Sequence, residues 1–570
     1  MSELRIPGRG SRFRLFELAL AVATVTTCAR VSPRGFSTSP DGGSDSGGFS
    51  TSPDGGSDSG ASADRGGTMV PSECEAARRN GSAQGCDFYA IAPAARYAGS
   101  GLVNTFVEST CFAVMVANTG MSTIEISVEY DGAKLNVAQM GRTPRGFGAA
   151  LAYDRLPGDK LTPGQMAILF LSGGGKLPCP GPTGIATDPS AVGTSIGRSF
   201  HITTSAPVIA YDIFPYGGAA AGTASATLLI PTSAWGVNYV AADGYRRDSM
   251  LEAEDQPWLQ IAAAEDGTEV IINPTTPIVG GAGVAPTGAN QPQTYRLTRG
   301  QVLQLKQDEE LTGSAIQSNK PIGLWGGSAC MHIPLGELAC DGAHQQLVPV
   351  NLLGSEYAAV RYRDRLNGAR ESVPWTMVGA VDGTALTYDP APPVGAPATI
   401  NRGQTIEFNA VNAFSVRSGD DQHPFYLAGH MTGGLMQGNI GGNGDPETVN
   451  TVPPTRWLNS YLFITDPTYG TTNLVFVRRK TLNGQFDDVT LDCFGPLTSW
   501  QPIGSDGLYQ FSHLDLVAEG KPNGRCDNGV HSARSNSPFG LTVWGWDPVV
   551  SYAYPAGMSV RPVNSVIVVP

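Results

Sequence analysis

Charged residues are scarce in this chain, and basic residues are the scarcer kind. Asp, Glu, Lys and Arg make up 15% of its 570 residues, whereas they make up about a quarter of an average globular protein. Because 37 Lys and Arg face 50 Asp and Glu, the formal net charge is −13. Binding to a phosphate backbone needs clustered Lys and Arg, so the composition argues against a nucleic acid partner.

Stretches that could form long helices are scarce as well. The chain contains 72 Gly and 42 Pro, the two residue types that stabilise helices least. Behind the N-terminal region, no stretch approaches the ~20 apolar residues of a membrane helix. Apolar residues still make up 41% of the chain, which is enough for a substantial core. The composition therefore predicts an all-β fold of short strands joined by turns.

Residues 1–28 resemble a lipoprotein signal peptide. An Arg-rich start is followed by an apolar stretch and by the tetrapeptide Val25-Thr26-Thr27-Cys28, which is similar to a lipobox. We expect cleavage before Cys28 and lipidation of Cys28; a plain secretory leader and a wrongly assigned start codon are the alternatives. Either kind of leader predicts export. The protein is then secreted or held at the outer membrane or cell surface, with the lipid anchor as its only membrane contact.

Residues 29–73 follow as a linker. The 13-residue string GFSTSPDGGSDSG occupies 35–47 and is repeated without change at 48–60. Ser, Gly, Asp and Pro dominate, and so few apolar residues cannot offset the entropy of ordering the chain. We therefore expect a disordered tether with a span on the order of 35–40 Å.

Eight cysteines follow the linker, and an even number suits an oxidising compartment. Their order along the chain favours pairing between neighbours, although eight cysteines allow 105 connectivities. None lies in a CxxC or Cys/His pattern with zinc spacing, so we interpret them as disulfide staples. The expected pairs are Cys74–Cys86, Cys111–Cys179, Cys330–Cys340 and Cys493–Cys526.

Four landmarks recur along the remaining chain, and such self-similarity is typical of repeat architectures. The first is an aromatic strand at Tyr89, Tyr239, Tyr357 and Tyr461, and in the last three copies a proline lies eight residues before the tyrosine, at Pro231, Pro349 and Pro453. The second is an Asp-Gly hairpin turn at 266–267 and 382–383, and the third is a Gly-Gln turn at Gln165, Gln301 and Gln404. The fourth is a strand that starts at Pro207, Pro321, Pro424 or Pro538. The recurrence predicts four tandem repeats of about six to seven strands. Their expected bounds are 74–225, 226–340, 341–445 and 446–570.

The size of the repeats indicates their architecture. Six to seven strands in about 110 residues is the size of a β-sandwich module, so we expect sandwich-like modules packed together. Propeller-like closure of the repeats is the alternative.

Two segments carry a family resemblance. HSARSNSPFGLTVWGWDPVVSYAYPAG (531–557) resembles the end of the N-terminal domain of the IgG Fc-binding protein family, and LVPVNLLGSEY (347–357) is similar to its internal repeat. The likeness spans roughly residues 86–560. It implies an extracellular binding or adhesive module, with no family catalytic residues to carry over; the cysteine-rich mucin-type modules of the animal members are missing here.

The sequence predicts no catalytic, cofactor or metal site. Residues 193–197 fit the G-x-S-x-G string of serine hydrolases around Ser195, but that motif needs a helix behind the serine, and a strand pattern follows instead. His332 and His344 flank the Cys330–Cys340 segment, and no histidine pair has the spacing of a common metal motif. We therefore predict a protein that is not an enzyme.

Three Gly-rich segments occupy corresponding repeat positions: Asp212–Ser225, Gly326–Gln346 and Gly429–Asn450. Rigid scaffolds carry recognition on loops, so these are candidate binding loops; the alternative is that they only connect repeats. The candidate contact residues are Tyr216, His332 and Met436.

The leading hypothesis is an extracellular cell-surface binding or adhesion protein that engages a protein or glycan. A structural envelope component that packs with copies of itself is the alternative, and a hydrolase is the third possibility.

Overall fold

The computed structural model describes residues 72–94, 110–146, 148–174, 178–248, 256–337, 340–365, 370–434 and 443–570. All of them belong to the compact unit Met69–Pro570. The expected leader with Cys28, the duplicated linker string and Met436 lie outside the described residues. No described helix is long and apolar enough to cross a membrane.

Antiparallel strands make up most of the regular secondary structure of the described chain, which confirms the predicted all-β fold. Helices are short: α1 (Glu73–Asn80), α2 (Val137–Met140) and the 3₁₀ helices η1 (Gly148–Ala150), η2 (Gly218–Ala220), η3 (Thr232–Ala234), η4 (Val350–Leu352) and η5 (Pro454–Arg456). Helix α1 begins where Ser72 accepts a hydrogen bond from the Glu75 amide and ends at Gly81, whose φ of 62° suits glycine.

The strands form four groups along the chain. Group 1 comprises β1 (Gly85–Ala90), β2 (Phe112–Asn118), β3 (Ile124–Tyr130), β4 (Ala133–Lys134), β5 (Gly141–Arg145), β6 (Ala152–Arg155), β7 (Lys160–Leu161), β8 (Met166–Ser172), β10 (Phe200–Phe214) and β11 (Ser225–Leu228), while β9 (Ser195–Arg198) pairs with group 2. Group 2 adds β12 (Gly236–Val240), β13 (Pro257–Ala263), β14 (Thr268–Asn273), β15 (Gln293–Leu297), β16 (Gln301–Lys306), β17 (Ala315–Met331) and β18 (Asp341–Leu347).

The second half of the chain provides the other two groups. Group 3 comprises β19 (Glu356–Ala359), β20 (Val373–Gly379), β21 (Thr384–Ala385), β22 (Thr387–Asp389), β23 (Thr399–Ile400), β24 (Thr405–Ala410), β25 (Phe414–Arg417), β26 (Phe425–Met431) and β27 (Glu447–Asn450). Group 4 comprises β28 (Leu458–Ile464), β29 (Thr471–Arg479), β30 (Val489–Leu491), β31 (Gly495–Pro496), β32 (Gln501–Ile503), β33 (Tyr509–Ala518), β34 (Lys521–Pro522), β35 (Val530–Asp547) and β36 (Val550–Pro555). Groups 1, 2 and 4 each form one sheet, whereas group 3 is split into three.

A long strand organises the sheet in groups 1, 2 and 4. The first half of β17 pairs with β12 and β14, and its second half pairs with β13 and β18. The expected hairpins at Asp266-Gly267 and Asp382-Gly383 are wrong, because neither turn joins two strands that pair with each other. Asp266-Gly267 connects β13 to β14, which both pair with β17 and not with each other.

The landmark prolines also differ from expectation, because three of them lie inside a long strand. Pro207, Pro321 and Pro538 lie between the two paired halves of β10, β17 and β35, where the register with the first strand of the group shifts. Proline has no N–H to donate to a neighbouring strand. It is tolerated here because the strand bends between its two paired halves, where no N–H donor is needed. Only Pro424 directly precedes a strand, β26, as predicted.

The four groups pack in a cycle. The inner strands β11, β18, β27 and β36 contact each other in that order, and β36 contacts β11 again. Each main core cluster joins neighbouring groups: 4 with 1, 1 with 2, 2 with 3, and 3 with 4. Of the two expected arrangements, this cycle corresponds to propeller-like closure.

The sheets also divide the chain later than the expected bounds. Strands β11, β18 and β27 pair with the strand before them, whereas bounds at 225, 340 and 445 would assign them largely or wholly to the next repeat.

The four observed disulfides are the four expected pairs, which confirms the predicted connectivity.

Hydrogen bonds between the two ends of the compact unit close the cycle. The Ala83 amide donates to the Met558 carbonyl at 2.9 Å, and the Val560 amide donates to the Gly81 carbonyl at 2.7 Å. The final residues then reach group 2, where Val568 and Asn238 exchange hydrogen bonds of 2.6 and 2.8 Å.

Candidate functional site

Four loops meet at one end of the cycle, each leading into an inner strand. Their described parts are 215–224, 332–337 with 340, 432–434 with 443–446, and 548–549. We call this set the loop ring. Three of its members lie within the segments predicted as binding loops, which are otherwise largely strand.

The loops of the ring contact each other in sequence around the cycle. The Thr223 carbonyl accepts from the Gly342 amide at 3.1 Å, and the Ile333 carbonyl accepts from the Gly433 amide at 2.7 Å. Asp547, at the end of β35, joins the remaining loops. Its carbonyl accepts from the Gly444 amide at 2.8 Å, and its carboxylate accepts from the Ala219 amide at 3.1 Å.

Two of the predicted contact residues lie inside the protein. Tyr216 is 3% exposed, and its hydroxyl lies 2.9 Å from the Tyr153 hydroxyl. His332 is 2% exposed; its Nδ1 lies 2.6 Å from the Glu337 carbonyl, and its Nε2 faces the Cys330 sulfur at 3.7 Å. Both side chains therefore hold the loops in place and do not face solvent.

The exposed residues in the described parts of the loop ring carry no charge. Leu335 is 39% exposed and Val549 is 42% exposed. The exposed residues of the described loops are Ala219, Ala220, Pro334, Leu335, Gly336, Pro548 and Val549. In a chain with a net charge of −13, this surface favours apolar contact over electrostatic attraction, and the sequence pattern had not singled it out.

A buried polar network lies beneath the ring and joins opposite strand groups. The Ser225 hydroxyl of group 1 donates to Glu447 Oε1 of group 3 at 3.0 Å. The Ser551 amide of group 4 donates to Asp341 Oδ2 of group 2 at 2.8 Å. Gln345 completes the network, since its amide nitrogen lies 2.8 and 3.2 Å from the carbonyls of Ala226 and Ala553.

Burial controls the protonation of these carboxyl groups. Removal from water raises the pKa of Asp341 and of Glu447 well above their usual ranges. The pKa of Asp445 rises to about 6 for the same reason, although the Gly434 amide and Arg365 favour its charged form. The pKa of Asp212 is also raised by burial, against the effect of His344, which lies 3.2 Å away.

Two clusters resemble metal sites in composition but are occupied by disulfides. Cys330, His332 and Cys340 place their ligand atoms within 4.8 Å of one another, as do Asp492, Cys493 and His531. Metal binding by cysteine uses the thiolate, and the sulfur atoms here belong to the 330–340 and 493–526 disulfides. The arrangement therefore stabilises loops.

Ser195 does not have the geometry of a hydrolase nucleophile. It is 8% exposed and begins β9, and its neighbours along β9 pair with β16. A nucleophile elbow places the serine between a strand and a helix, whereas the chain here continues into β10 after Arg198.

Comparison with known proteins identifies one family. The family model described as IgGFc binding protein matches residues 225–545, which include β11 to β34 and most of β35. No curated protein and no solved structure matches the chain.

Proposed function

Since the chain belongs to the IgGFc-binding protein family, we propose that it is an extracellular binding protein whose loop ring contacts a protein partner. The family match supports a binding role and not an enzymatic one. The finer proposal is adhesion at the cell surface, with the body held there through a lipid on Cys28.

The contacts between the loops carry this proposal. Loops separated by at least a hundred residues hydrogen-bond to one another around one end of the cycle, and the 330–340 disulfide braces one of them. A pre-ordered surface loses little conformational entropy on binding. Its exposed apolar residues, Leu335 and Val549, are suited to the buried centre of a protein interface.

Substitution of these two residues tests the proposal. Leu335→Asp and Val549→Asp each place a charge on this apolar surface, and Asp tolerates the positive φ of 54° at position 549. The purified body is applied to immobilised immunoglobulin Fc, extracellular matrix proteins and a glycan array. We expect one class of immobilised protein to retain the wild type and to bind neither variant.

The matched control is Val394→Asp, because Val394 is 90% exposed and lies in group 3 outside the ring. It should bind like the wild type. Retention by glycans alone, or equal binding by the ring variants and the wild type, would contradict the proposal.

A self-packing envelope component remains the second candidate, supported by a different surface. Ile567 and Val569 are 65% and 61% exposed on either side of the buried Val568, and Val237 beside Asn238 is 42% exposed. These residues form an apolar edge along the C-terminal segment. Sedimentation of the wild type and of Ile567→Asn/Val569→Asn tests it: self-packing requires concentration-dependent assembly of the wild type that the variant loses.

A further inference from the structure

A groove of about 1000 Å³ lies on group 4, lined by residues outside the loop ring. One wall is the 480–488 loop, which connects β29 to β30. Across the groove lie Pro454 and Trp457 from the start of group 4, Leu508, and Pro538 from the bend of β35. The volume matches the upper range of ordinary ligand sites.

The base and tip of the 480–488 loop are held by internal contacts. The Arg478 guanidinium lies 3.9 Å from the Trp500 ring centroid and 5.2 Å from that of Phe486, so the two rings flank the cation. At the tip, the Thr481 amide and hydroxyl both donate to the Gln485 carbonyl, at 2.7 and 2.9 Å. The wall of the groove is therefore ordered before any ligand arrives.

The tip exposes an apolar side chain without internal support. Leu482 is 108% exposed, although isoleucine and leucine side chains are usually buried. A ligand that entered the groove would lie between Leu482 and the apolar floor around Trp457. Burial of a leucine side chain against apolar groups is favourable, which makes Leu482 a candidate binding hot spot.

The groove also presents positive charge in an acidic protein. Lys480 makes no ion pair with the described part of the chain, and its ammonium lies 5.6 Å from the Phe486 ring centroid. Arg479 is 45% exposed and lies 3.6 Å from Glu356. The nearby Asp487 carboxylate accepts from the Ser537 hydroxyl. The unpaired Lys480 is therefore complementary to a ligand carboxylate.

Two exposed amides complete the surface. Asn483 and Gln485 lie on the tip of the loop and line the groove. A side-chain amide offers both a donor and an acceptor, as a peptide backbone requires. An acidic sugar could use the amides and Lys480, but it would leave Leu482 exposed.

We propose that this groove binds an extended, acidic segment of a partner protein in which carboxylate side chains alternate with apolar ones. The apolar side chains pack between Leu482 and Trp457, the carboxylates pair with Lys480, and the amides of Asn483 and Gln485 bond to the backbone. This second surface goes beyond the proposed role of the loop ring.

Fluorescence anisotropy with defined peptides tests the proposal on the purified body. The probes are labelled peptides of about eight residues that alternate Asp with Leu or Lys with Leu, and oligogalacturonate serves as a competitor. We expect the Asp/Leu peptide to bind and the Lys/Leu peptide not to bind. Lys480→Glu and Leu482→Asn should each weaken binding about tenfold or more, as hot-spot substitutions do.

The controls separate this site from general charge and from the loop ring. Lys134→Glu reverses an exposed charge on β4 of group 1 and should leave binding unchanged, as should Leu335→Asp. Equal binding of both peptides, an absence of binding, or insensitivity to Lys480→Glu would overturn the proposal. Oligogalacturonate that binds on its own and tolerates Leu482→Asn would identify a glycan site instead.

Discussion

Ser225 Oγ and Glu447 Oε1 lie 3.0 Å apart across the centre of the molecule, 222 residues apart in sequence. Both residues are at most 1% exposed. The bond joins inner strands β11 and β27, which are opposite in the cycle, and it lies directly beneath the loop ring. Glu447, one of the 50 acidic residues in the sequence, thus connects two strand groups.

The protonation of Glu447 leads to the first prediction. Burial raises the pKa of Glu447 well above its usual range and so favours the neutral carboxyl, which Glu447→Gln matches in size and charge. We expect that variant to change the free energy of unfolding by less than about 1 kcal/mol, whereas Glu447→Ala costs roughly 2–4 kcal/mol through a cavity and an unpaired Ser225. Denaturant unfolding measures both. Equal destabilisation by the two variants would indicate a charged Glu447.

The second prediction concerns a tyrosine in the first strand of groups 2, 3 and 4. The Tyr239 hydroxyl accepts from the Gly236 amide at 3.0 Å and donates to the Ile322 carbonyl, directly after Pro321, at 2.6 Å. Tyr357 and Tyr461 make the equivalent pair of bonds. Tyr239→Phe should therefore cost about 1–3 kcal/mol, because it leaves buried backbone groups unpaired.

Group 1 provides the matched comparison for that prediction. The pairing register of β1 with β10 places Phe88, and not Tyr89, at the position equivalent to that of Tyr239 in group 2. Phe88→Tyr should be tolerated or stabilising, since a hydroxyl there would reach the Val208 carbonyl. A large loss of stability from Phe88→Tyr, or none from Tyr239→Phe, would contradict the equivalence of these positions.

These positions indicate what the sequence could and could not predict. The composition of the strands, the order of the cysteines and the eight-residue step from Pro231 to Tyr239 can be recognised in the sequence, because each is a pattern along the chain. The structure explains that step: a Cβ on Gly85 would lie 2.4 Å from Pro231 Cβ, so the proline packs against the preceding group and η3 then leads into β12. The alignment of Tyr89 with Tyr239 was wrong by one residue, because hydrogen bonding decides register and the apolar pattern at Phe88-Tyr89 fits either choice.

The loop ring and the cyclic packing could not be predicted from local patterns. The bond between Gly342 and Thr223 joins residues more than a hundred positions apart, and the carboxyl groups of Asp341 and Glu447 are indistinguishable by residue type from surface acids. Burial of Tyr216 likewise depends on a partner 63 residues away, Tyr153. The Gly-rich segments contain three of the four loops of the ring, but the sequence does not indicate which side chains face outward.

The third prediction uses Asp466, a fully buried residue in the link between β28 and β29. Burial raises its pKa to about 6, although Thr468 donates two hydrogen bonds to it. Since the folded pKa lies above the unfolded value of about 3.9, the associated stability is fully present below pH ~4 and is lost as the pH rises through 6. The loss is about 3 kcal/mol by pH 8.

Asp466→Asn should therefore flatten the dependence of stability on pH between about 4 and 8. Urea unfolding at several pH values measures the difference between variant and wild type. The matched control is Asp382→Asn in an exposed turn, which should leave the pH profile unchanged. A wild-type profile that rises from pH 5 to pH 8 by the amount attributed to this group would contradict the assignment.

The fourth prediction concerns the leader. If Cys28 is lipidated, the full-length protein should partition into the detergent phase after Triton X-114 extraction, because acyl chains give stable membrane anchoring. Cys28→Ser should move it to the aqueous phase without changing the folding of the body. Cleavage without a shift in partitioning would indicate a plain secretory leader.

The last prediction compares two disulfides of similar expected stability but different location. Cys330–Cys340 closes a separation of 10 residues at the loop ring, and Cys493–Cys526 closes 33 residues on group 4. Loop-closure entropy assigns each a contribution of about 2–4 kcal/mol. Replacing either pair by serine should therefore lower the unfolding midpoint comparably.

Partner binding should differ, because only the first pair holds Ile333 against Gly433 and positions Leu335 within the ring. We expect the 330/340 variant to lose binding to the partner captured by the wild type, measured by surface plasmon resonance below the unfolding temperature of both variants. The 493/526 variant should retain it. If both lose binding in proportion to their stability, the ring has no special part in recognition, and the binding surface must be sought elsewhere on the body.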